Sequence, residues 1–127
     1  MSVENAIKKL DFEKGNGLIP VVVQDHVSLE VIMFAYANEE ALKKTIETDY
    51  AHYFSRSRQS LWKKGETSGN LQKMKDILFD CDSDTLLYKV EQIGGAACHT
   101  GRRSCFFNRI SNEGLELEFI PPIEKDK

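Results

Sequence analysis

The 127-residue sequence has no apolar run long enough to cross a membrane. Its most apolar stretch near the N-terminus, GLIPVVV at 17–23, is far shorter than the ~20 residues that a spanning helix needs. That stretch also lacks the small-residue cleavage pattern of a signal peptide. Positive charge is not in excess either, because the net charge is −3 and the pI is about 5.6. We therefore expect a cytoplasmic protein that binds neither membranes nor nucleic acid.

Cysteine is scarce, and its three copies, Cys81, Cys98 and Cys105, lie within one 25-residue window. An odd number of cysteines in an intracellular chain argues against a disulfide framework. Each thiol taken alone could be a small buried hydrophobic group, but the clustering favours a zinc site. No CxxC pair is present, which argues against a zinc ribbon. Three thiolates without a fourth cysteine favour a catalytic zinc that keeps one position for water.

His99 follows Cys98 directly in the segment ACHTGRRSC and has two alternative roles. As a fourth zinc ligand it would close the site and make the zinc structural. As a free imidazole beside the metal it would transfer protons near neutral pH. The spacing leaves both roles open, and we predict the second, with His99 as the catalytic residue.

Negative charge is concentrated in FDCDSDTLLYKV, where Asp80, Asp82 and Asp84 alternate along the chain. In an extended segment these carboxylates would project from one side and Cys81 from the other. Like charges repel unless a cation lies between them, and hard oxygen ligands suit Mg²⁺ or Ca²⁺. A solvated acidic turn is the alternative, and an EF-hand is disfavoured because its required glycine is absent. Magnesium also binds substrate phosphates, so the triad predicts a magnesium site and a phosphorylated substrate.

The segment SRSRQSLWKKGETSGN, at 55–70, combines arginines, hydroxyl groups and glycines. Guanidinium and hydroxyl groups bind phosphate well, and Gly65 and Gly69 permit a tight loop whose amides could meet an anion. Trp62 could pack in the core or stack on a base. The alternative is a charged hairpin face without a ligand. No P-loop pattern is present.

The order of the predicted elements indicates a single α+β domain over residues 1–127, with a mostly antiparallel sheet and a few short helices. Strands are predicted at 17–25, 27–37, 50–56, around 61–62, 71–79, 85–93 and 115–120. The first two strands would form a hairpin. The segment from Cys98 to Cys105 would be irregular or helical.

Two helices are predicted from their caps and their apolar spacing. The first covers 2–10 and begins at the capping residue Ser2. The second follows Asn38, which is a good N-cap, and its inward-facing side chains would be Ala41, Leu42 and Ile46.

Together these features predict metal-assisted hydrolysis of a phosphorylated small molecule. A nucleobase deaminase is the nearest alternative enzyme, but its H-x-E and P-C-x-x-C signatures are absent. A small zinc-stabilised binding module without chemistry is the alternative from a different class. Removal of the metal separates the two classes, because a structural zinc site loses its fold with its metal.

The motifs SRSR-x-x-LW-x-KGE-x-SGN, DCD-x-DTLL and ACHTG-x-x-SCF, with GLIPVVVQD and MFAYAN, resemble the phosphoribosyl-AMP cyclohydrolase family of histidine biosynthesis. The resemblance extends in order from about residue 11 to residue 110. It implies hydrolysis of the N1–C6 bond of the adenine ring in phosphoribosyl-AMP, which opens the ring to the formimino-aminoimidazole carboxamide ribonucleotide. Many members carry a fused pyrophosphatase domain. Because this sequence ends at Lys127, we expect the single-function form.

The resemblance also implies the cofactors and the assembly. Zinc would be held by Cys81, Cys98 and Cys105, and magnesium by Asp80, Asp82 and Asp84. The resemblance implies a homodimer whose zinc site is built across the interface, in which Cys81 would come from one subunit and the other two cysteines from its partner.

The mechanism expected from this resemblance begins with zinc-activated water, which attacks C6 of the adenine ring. His99 would transfer protons, while magnesium with Arg56 and Arg58 would hold a phosphate of the nucleotide substrate. The residues predicted to bind substrate are Ser55, Arg56, Ser57, Arg58, Trp62, Lys64, Gly65, Glu66, Ser68, Gly69 and Asn70.

Overall fold

The computed structural model describes residues 2–123, and its helices and strands confirm a single α+β domain with mostly antiparallel strands. The helices are α1 (Val3–Lys8) and α2 (Glu39–Thr48). The strands are β1 (Ile19–Asp25), β2 (Val31–Ala37), β3 (His52–Ser55), β4 (Ser60–Lys63), β5 (Gln72–Phe79), β6 (Leu86–Gln92), β7 (Arg109–Ser111) and β8 (Gly114–Glu116). None of the helices in residues 2–123 has the length and apolar character that crossing a bilayer requires.

The main sheet has four strands in the order β2-β1-β6-β5. The predicted β1–β2 hairpin is confirmed, β5 and β6 form a second antiparallel pair, and β1 runs parallel to β6. Strands β3 and β4 form a separate hairpin, as do β7 and β8. Strands β2 and β5 therefore lie at opposite edges of the main sheet, about three strand spacings or roughly 14 Å apart.

One face of β1 is buried, because its side chains alternate between the core and the surface. Ile19, Val21 and Val23 are at most 1% exposed, and the intervening side chains are half-buried. The fully buried large side chains of the core are Tyr53, Tyr88, Ile19, Leu42, Leu86, Val21, Val23 and Val90. Six of these eight side chains belong to β1 and β6, the two central strands of the sheet.

Both predicted helix caps are present. The Ser2 hydroxyl accepts a hydrogen bond from the amide of Asn5 at 3.1 Å. The Asn38 side chain accepts one from the amide of Ala41 at 2.8 Å. These side chains satisfy amides that have no partner within the helix, so each helix begins where the sequence predicts.

The inward face of α2 differs from the prediction at one position. Ile46 is 37% exposed, and Thr45 is fully buried instead. The Thr45 hydroxyl donates to the carbonyl of Ala41 at 2.9 Å and accepts from the amide of His52 at 2.8 Å. Because these bonds satisfy its polar atom, threonine can replace an apolar residue at the contact between α2 and β3.

Two strand predictions are wrong in extent. Residues 26–28 form a turn and β2 begins only at Val31, because the Asp25 carboxylate accepts hydrogen bonds from the amides of Val27 and Ser28, both at 2.9 Å. Of the strand predicted at 115–120, only Leu115 and Glu116 pair with β7, as part of β8.

Candidate functional site

A cavity of about 800 Å³ opens between β2, the β3–β4 hairpin and the loop that carries His99. Most of the segment at 55–70 that was predicted to bind substrate lines this cavity. Its lining residues are Phe34, Ala35, Tyr36, Phe54, Ser55, Arg56, Ser57, Arg58, Trp62, Lys63, Gly65, Glu66, Thr67, Ser68 and His99. A cavity of this size, with apolar walls and a few convergent polar groups, is typical of a small-molecule site.

The arginines at the mouth of the cavity lie on the turn between β3 and β4. The Ser55 hydroxyl accepts a hydrogen bond from the amide of Arg58 at 3.3 Å, and the Gln59 side chain donates to the carbonyl of Arg56 at 2.7 Å. The Arg56 guanidinium lies 4.1 Å from the centre of the Tyr36 ring. Both arginine side chains are exposed, so their charge is available to an anion that enters the cavity.

The loop at 65–70 closes tightly around Asn70. A Cβ at Gly65, where φ is +80°, would collide with the backbone of Asn70, and one at Gly94 would collide with the Asn70 side chain. The three predicted substrate-binding residues that do not line the cavity are Lys64, Gly69 and Asn70. Asn70 is therefore packed against Gly65 and Gly94 at the base of the loop, whereas Glu66 and Ser68 line the cavity.

The segment carrying Cys98 and Cys105 is irregular and is attached to the edge strand β2. The Cys105 amide donates to the carbonyl of Ile32 at 2.7 Å, and the Ser104 hydroxyl donates to the carbonyl of Val31 at 2.9 Å. The Cys98 amide donates to the carbonyl of Arg102 at 3.0 Å, which closes the turn that contains His99. These bonds hold the two cysteines on one segment, close enough for each thiol to affect the pKa of the other.

Arg102 fixes the outer side of this segment. It is 8% exposed, and its Nε donates to the carbonyl of Ile120 at 2.6 Å. Its terminal nitrogen forms an ion pair with Glu118 at 2.9 Å, and its guanidinium lies 4.3 Å from the centre of the Phe107 ring. A planar guanidinium with all these partners holds the cysteine segment against the C-terminal part of the chain.

The two thiols differ in acidity although they are neighbours. Burial raises the pKa of Cys98, but hydrogen bonds from Thr100, whose hydroxyl lies 3.1 Å from the sulfur, together with Cys105 and Lys64, lower it overall. Burial, followed by the neighbouring Cys98, raises the pKa of Cys105 to about 11. A metal cation would remove this difference, because it stabilises both thiolates together.

Cys81 lies away from that pair. It is exposed, in the turn after β5, whereas Cys98 and Cys105 lie beside β2 at the opposite edge of the sheet. Within residues 2–123, the three sulfurs do not form a group whose ligand atoms all lie within 4.8 Å of one another. One chain therefore presents two thiols at one edge and one thiol at the other.

The three aspartates converge, but not in the extended conformation that their alternation suggested. Residues 80–84 form a tight turn between β5 and β6, in which Asp80 accepts hydrogen bonds from the amides of Asp84 at 3.0 Å and Thr85 at 3.3 Å. Ser83 takes a left-handed conformation with φ of +60°. The turn brings one carboxylate oxygen from each of the three aspartates within 4.8 Å of the others, which suits a hard cation.

Lys14 provides a counter-charge at this turn. Its ammonium lies 2.6 Å from a carboxylate oxygen of Asp84. The hydrogen bond from Lys14 is the largest cause that lowers the pKa of Asp84, and the same contact raises the pKa of Lys14. Because the ammonium pairs with one carboxylate of the three, most of the negative charge of the turn remains available.

Several cavity residues were not among the predicted substrate-binding residues. They are Phe34, Ala35, Tyr36, Phe54, Lys63 and Thr67. The first three lie in the MFAYAN segment, whose apolar composition indicates only a strand. Their position beside the cavity depends on how β2 packs against the β3–β4 hairpin, which the sequence pattern does not specify.

Comparison with known proteins gives one consistent family. The sequence model of the family described as phosphoribosyl-AMP cyclohydrolase matches residues 33–107. The phosphoribosyl-AMP cyclohydrolase of Desulfotalea psychrophila is 60% identical over 114 residues, which cover 89% of this chain and 90% of that protein. The enzyme of the same name from Archaeoglobus fulgidus is 58% identical over 83% of this chain and 95% of that protein. The histidine biosynthesis bifunctional protein of Aquifex aeolicus is 58% identical over 91% of this chain and 55% of that protein.

Proposed function

The chain belongs to the phosphoribosyl-AMP cyclohydrolase family of histidine biosynthesis, and from that premise we propose that it hydrolyses the N1–C6 bond of phosphoribosyl-AMP. Water adds at C6, the bond between C6 and N1 breaks, and the purine opens to the formimino-aminoimidazole carboxamide ribonucleotide. Both ends of the broken bond remain in the same product molecule. No ammonia is released. This outcome distinguishes the reaction from deamination at the same carbon.

The observation that carries this proposal is that one cavity is lined by both His99 and the turn that holds Arg56 and Arg58. Cys98 directly precedes His99 in the sequence. A phosphorylated nucleotide needs cations for its phosphates and a flat apolar surface for its base. Arg56 and Arg58 supply the cations, and Trp62 offers an aromatic face. The base is then directed towards the side of the cavity that contains His99.

His99 has the properties of a proton-transferring group. Its side chain is exposed and lines the cavity, whereas the adjacent Cys98 is buried behind it. An imidazole has two ring nitrogens that can donate or accept a proton, so it can give a proton to the departing N1 and take one from the attacking water. We propose that His99 performs this transfer.

The thiol pair fits zinc as two ligands of a three-thiolate set. Cys98 and Cys105 lie on the same irregular segment beside β2, and soft sulfur ligands favour zinc over hard cations. When bound, zinc supplies a Lewis acid that activates water near neutral pH. Free thiols that bind metal also favour the reducing cytoplasm as the compartment of this reaction.

A second copy of the chain would supply the third thiol. Cys81 lies at the opposite edge of the sheet from the thiol pair, so a homodimer that apposes the two edges unites the three sulfurs. Exposed apolar side chains flank both half-sites: Phe79 beside Cys81 is 45% exposed, and Phe106 beside Cys105 is 52% exposed. Burial of these side chains at a subunit interface would favour the assembly.

The aspartate turn fits magnesium, because three carboxylates converge there and all lie near the surface. Magnesium keeps several waters and binds substrate phosphate in addition to one or two carboxylates. We propose that Asp80, Asp82 and Asp84 hold it and that it assists substrate binding. The turn also contains Cys81, so the proposed magnesium would lie beside the dimer interface.

The purified chain incubated with phosphoribosyl-AMP tests the proposed reaction. The expected result is an ultraviolet shift to the ring-opened product, without ammonia, and with loss of activity when zinc is chelated. Release of ammonia would assign the chain to deaminase chemistry instead. A folded, zinc-loaded dimer that leaves the substrate unchanged would contradict the proposed function.

A further inference from the structure

Lys64 does not face the cavity, although it lies between cavity residues in the sequence. Lys63 and Gly65 both line the cavity, whereas Lys64 does not. Its side chain is half-buried and donates a hydrogen bond to the carbonyl of Ala97 at 2.5 Å. The residue that receives this bond directly precedes Cys98.

The backbone of Lys64 also forms a hydrogen bond to a buried residue. Its amide donates to the carbonyl of Ala51 at 3.1 Å, and Ala51 is fully buried. Ala97, at the other end of the contact, is 1% exposed. The lysine therefore links two buried parts of the chain, the end of β4 and the start of the cysteine segment.

Among residues 2–123, no carboxylate forms an ion pair with Lys64. Burial lowers its pKa, and the charges of Cys105 and Cys98 act in the opposite direction. A half-buried ammonium without a carboxylate is favoured by nearby negative charge, which the thiolates would supply once they bind a metal.

We propose that Lys64 is a positioning residue of the metal-binding thiol pair, which fixes the segment before Cys98 through the Ala97 carbonyl and offsets the negative charge of the two thiolates. This inference rests on the proposed zinc site. It differs from the substrate-binding role predicted from the sequence, because it acts on the metal ligands rather than on the nucleotide. Groups behind the ligands orient them, and their loss typically weakens metal binding by about 10- to 100-fold.

The test compares zinc affinities, measured by competition with a chromophoric chelator, of the unmodified chain and the variants Lys64→Met, Lys64→Arg and Lys63→Met. Lys64→Met removes the charge and the donor while keeping most of the apolar stem, so its affinity should fall about 10- to 100-fold. Lys64→Arg keeps a cation and should recover most of the loss. Lys63→Met is the matched control, because its side chain lies near the Tyr50 ring, 5.3 Å from ammonium to ring centre, and its zinc affinity should not change.

Cobalt substitution gives a second readout that does not depend on activity. Charge-transfer bands from sulfur to cobalt should require higher cobalt concentrations in Lys64→Met than in the unmodified chain. If Lys64→Met does not fold, Lys64→Gln and Lys64→Arg are compared at a temperature where both are folded. Weaker binding by the neutral glutamine would support the role of the charge, and equal binding would overturn it.

The outcomes separate this inference from the function on which it rests. An unmodified chain that binds zinc tightly, with Lys64→Met equal to it, would overturn the role of Lys64 and leave the zinc site intact. A raised KM in Lys64→Met with unchanged zinc affinity would assign Lys64 to the substrate instead. An unmodified chain that binds no zinc would overturn both the zinc site and the role of Lys64.

Discussion

Chains that carry Cys81→Ser and chains that carry Cys98→Ser should each be inactive, yet they should regain activity when they are mixed. Cys81 lies at one edge of the sheet and Cys98 beside the other. In the proposed homodimer each zinc site takes Cys81 from one chain and the thiol pair from its partner. Every site of either variant alone therefore lacks one sulfur.

The expected recovery follows from counting intact sites. A mixed dimer has one site that lacks both Cys81 and Cys98 and one site that lacks neither. Random reassortment of equal amounts gives about half mixed dimers in a twofold-symmetric assembly, so about a quarter of all sites are intact. Activity and bound zinc should both return to about a quarter of the unmodified level.

The assay is refolding or co-expression of the two variants in equal amounts, followed by turnover of phosphoribosyl-AMP and zinc analysis. A mixture of Cys98→Ser with Cys105→Ser is the matched control. Those two thiols belong to the same half-site, so every site in their mixed dimer lacks one sulfur. This control should remain inactive.

Three results would refute the reasoning. Retention of zinc and activity by Cys81→Ser alone would remove Cys81 from the site. Recovery by the Cys98→Ser and Cys105→Ser mixture would show that the two thiols are not in the same half-site. A reassorted mixture of Cys81→Ser and Cys98→Ser that stays inactive, with mixed dimers demonstrated by tagged chains, would contradict a site divided between two copies.

Four further substitutions test other parts of the site. His99→Ala should lower turnover by about 10²- to 10⁴-fold without changing the zinc content; loss of zinc, measured by elemental analysis, would make His99 a ligand instead. Gly69→Ala should cost about 1 kcal/mol of unfolding free energy, because φ is +83° but nothing lies within 4 Å of the added methyl group. Gly65→Ala should cost more in the same denaturant titration, because its methyl group collides with the backbone of Asn70, and equal costs would contradict that contact. Asp82→Asn should weaken magnesium binding by about tenfold or more and leave zinc bound, since one of three charged ligands is lost; unchanged magnesium affinity, measured by calorimetry, would remove Asp82 from that site.

Local features of the fold were predictable wherever one short segment determines the outcome. The caps at Ser2 and Asn38 depend on side chains within three residues of the helix start, and both are present. The alternation in β1 requires only that one face is buried. Ile46 was predicted to be buried because it is apolar, but the hydroxyl of Thr45 has specific partners that apolar spacing does not reveal.

The arrangement of the candidate site depended on contacts distant in sequence. The Asp80–Asp84 pattern indicated a cation, but its turn is closed by hydrogen bonds from the amides of Asp84 and Thr85 to the Asp80 carboxylate, which the alternation does not predict. The direction of Lys64 depends on the position of Ala97, which lies 33 residues away. Which thiols meet follows from strand order, because the parallel pairing of β1 with β6 separates β2 from β5. The sequence pattern therefore predicts the residue types of the candidate site, and topology determines which of them one chain brings together.

The turn between β5 and β6 holds the three aspartates and Cys81 within five consecutive residues. A cation bound by the carboxylates would restrict the same backbone that presents the thiol to a second copy. The first metal to bind would bear the entropy cost of ordering this turn, and the second would bear less of it. The two metals would therefore bind with positive cooperativity. Linkage is reciprocal: magnesium would raise the affinity for zinc by the same factor by which zinc raises the affinity for magnesium. Depletion of one ion would then release the other, and a single short turn would make metal supply and subunit association one equilibrium.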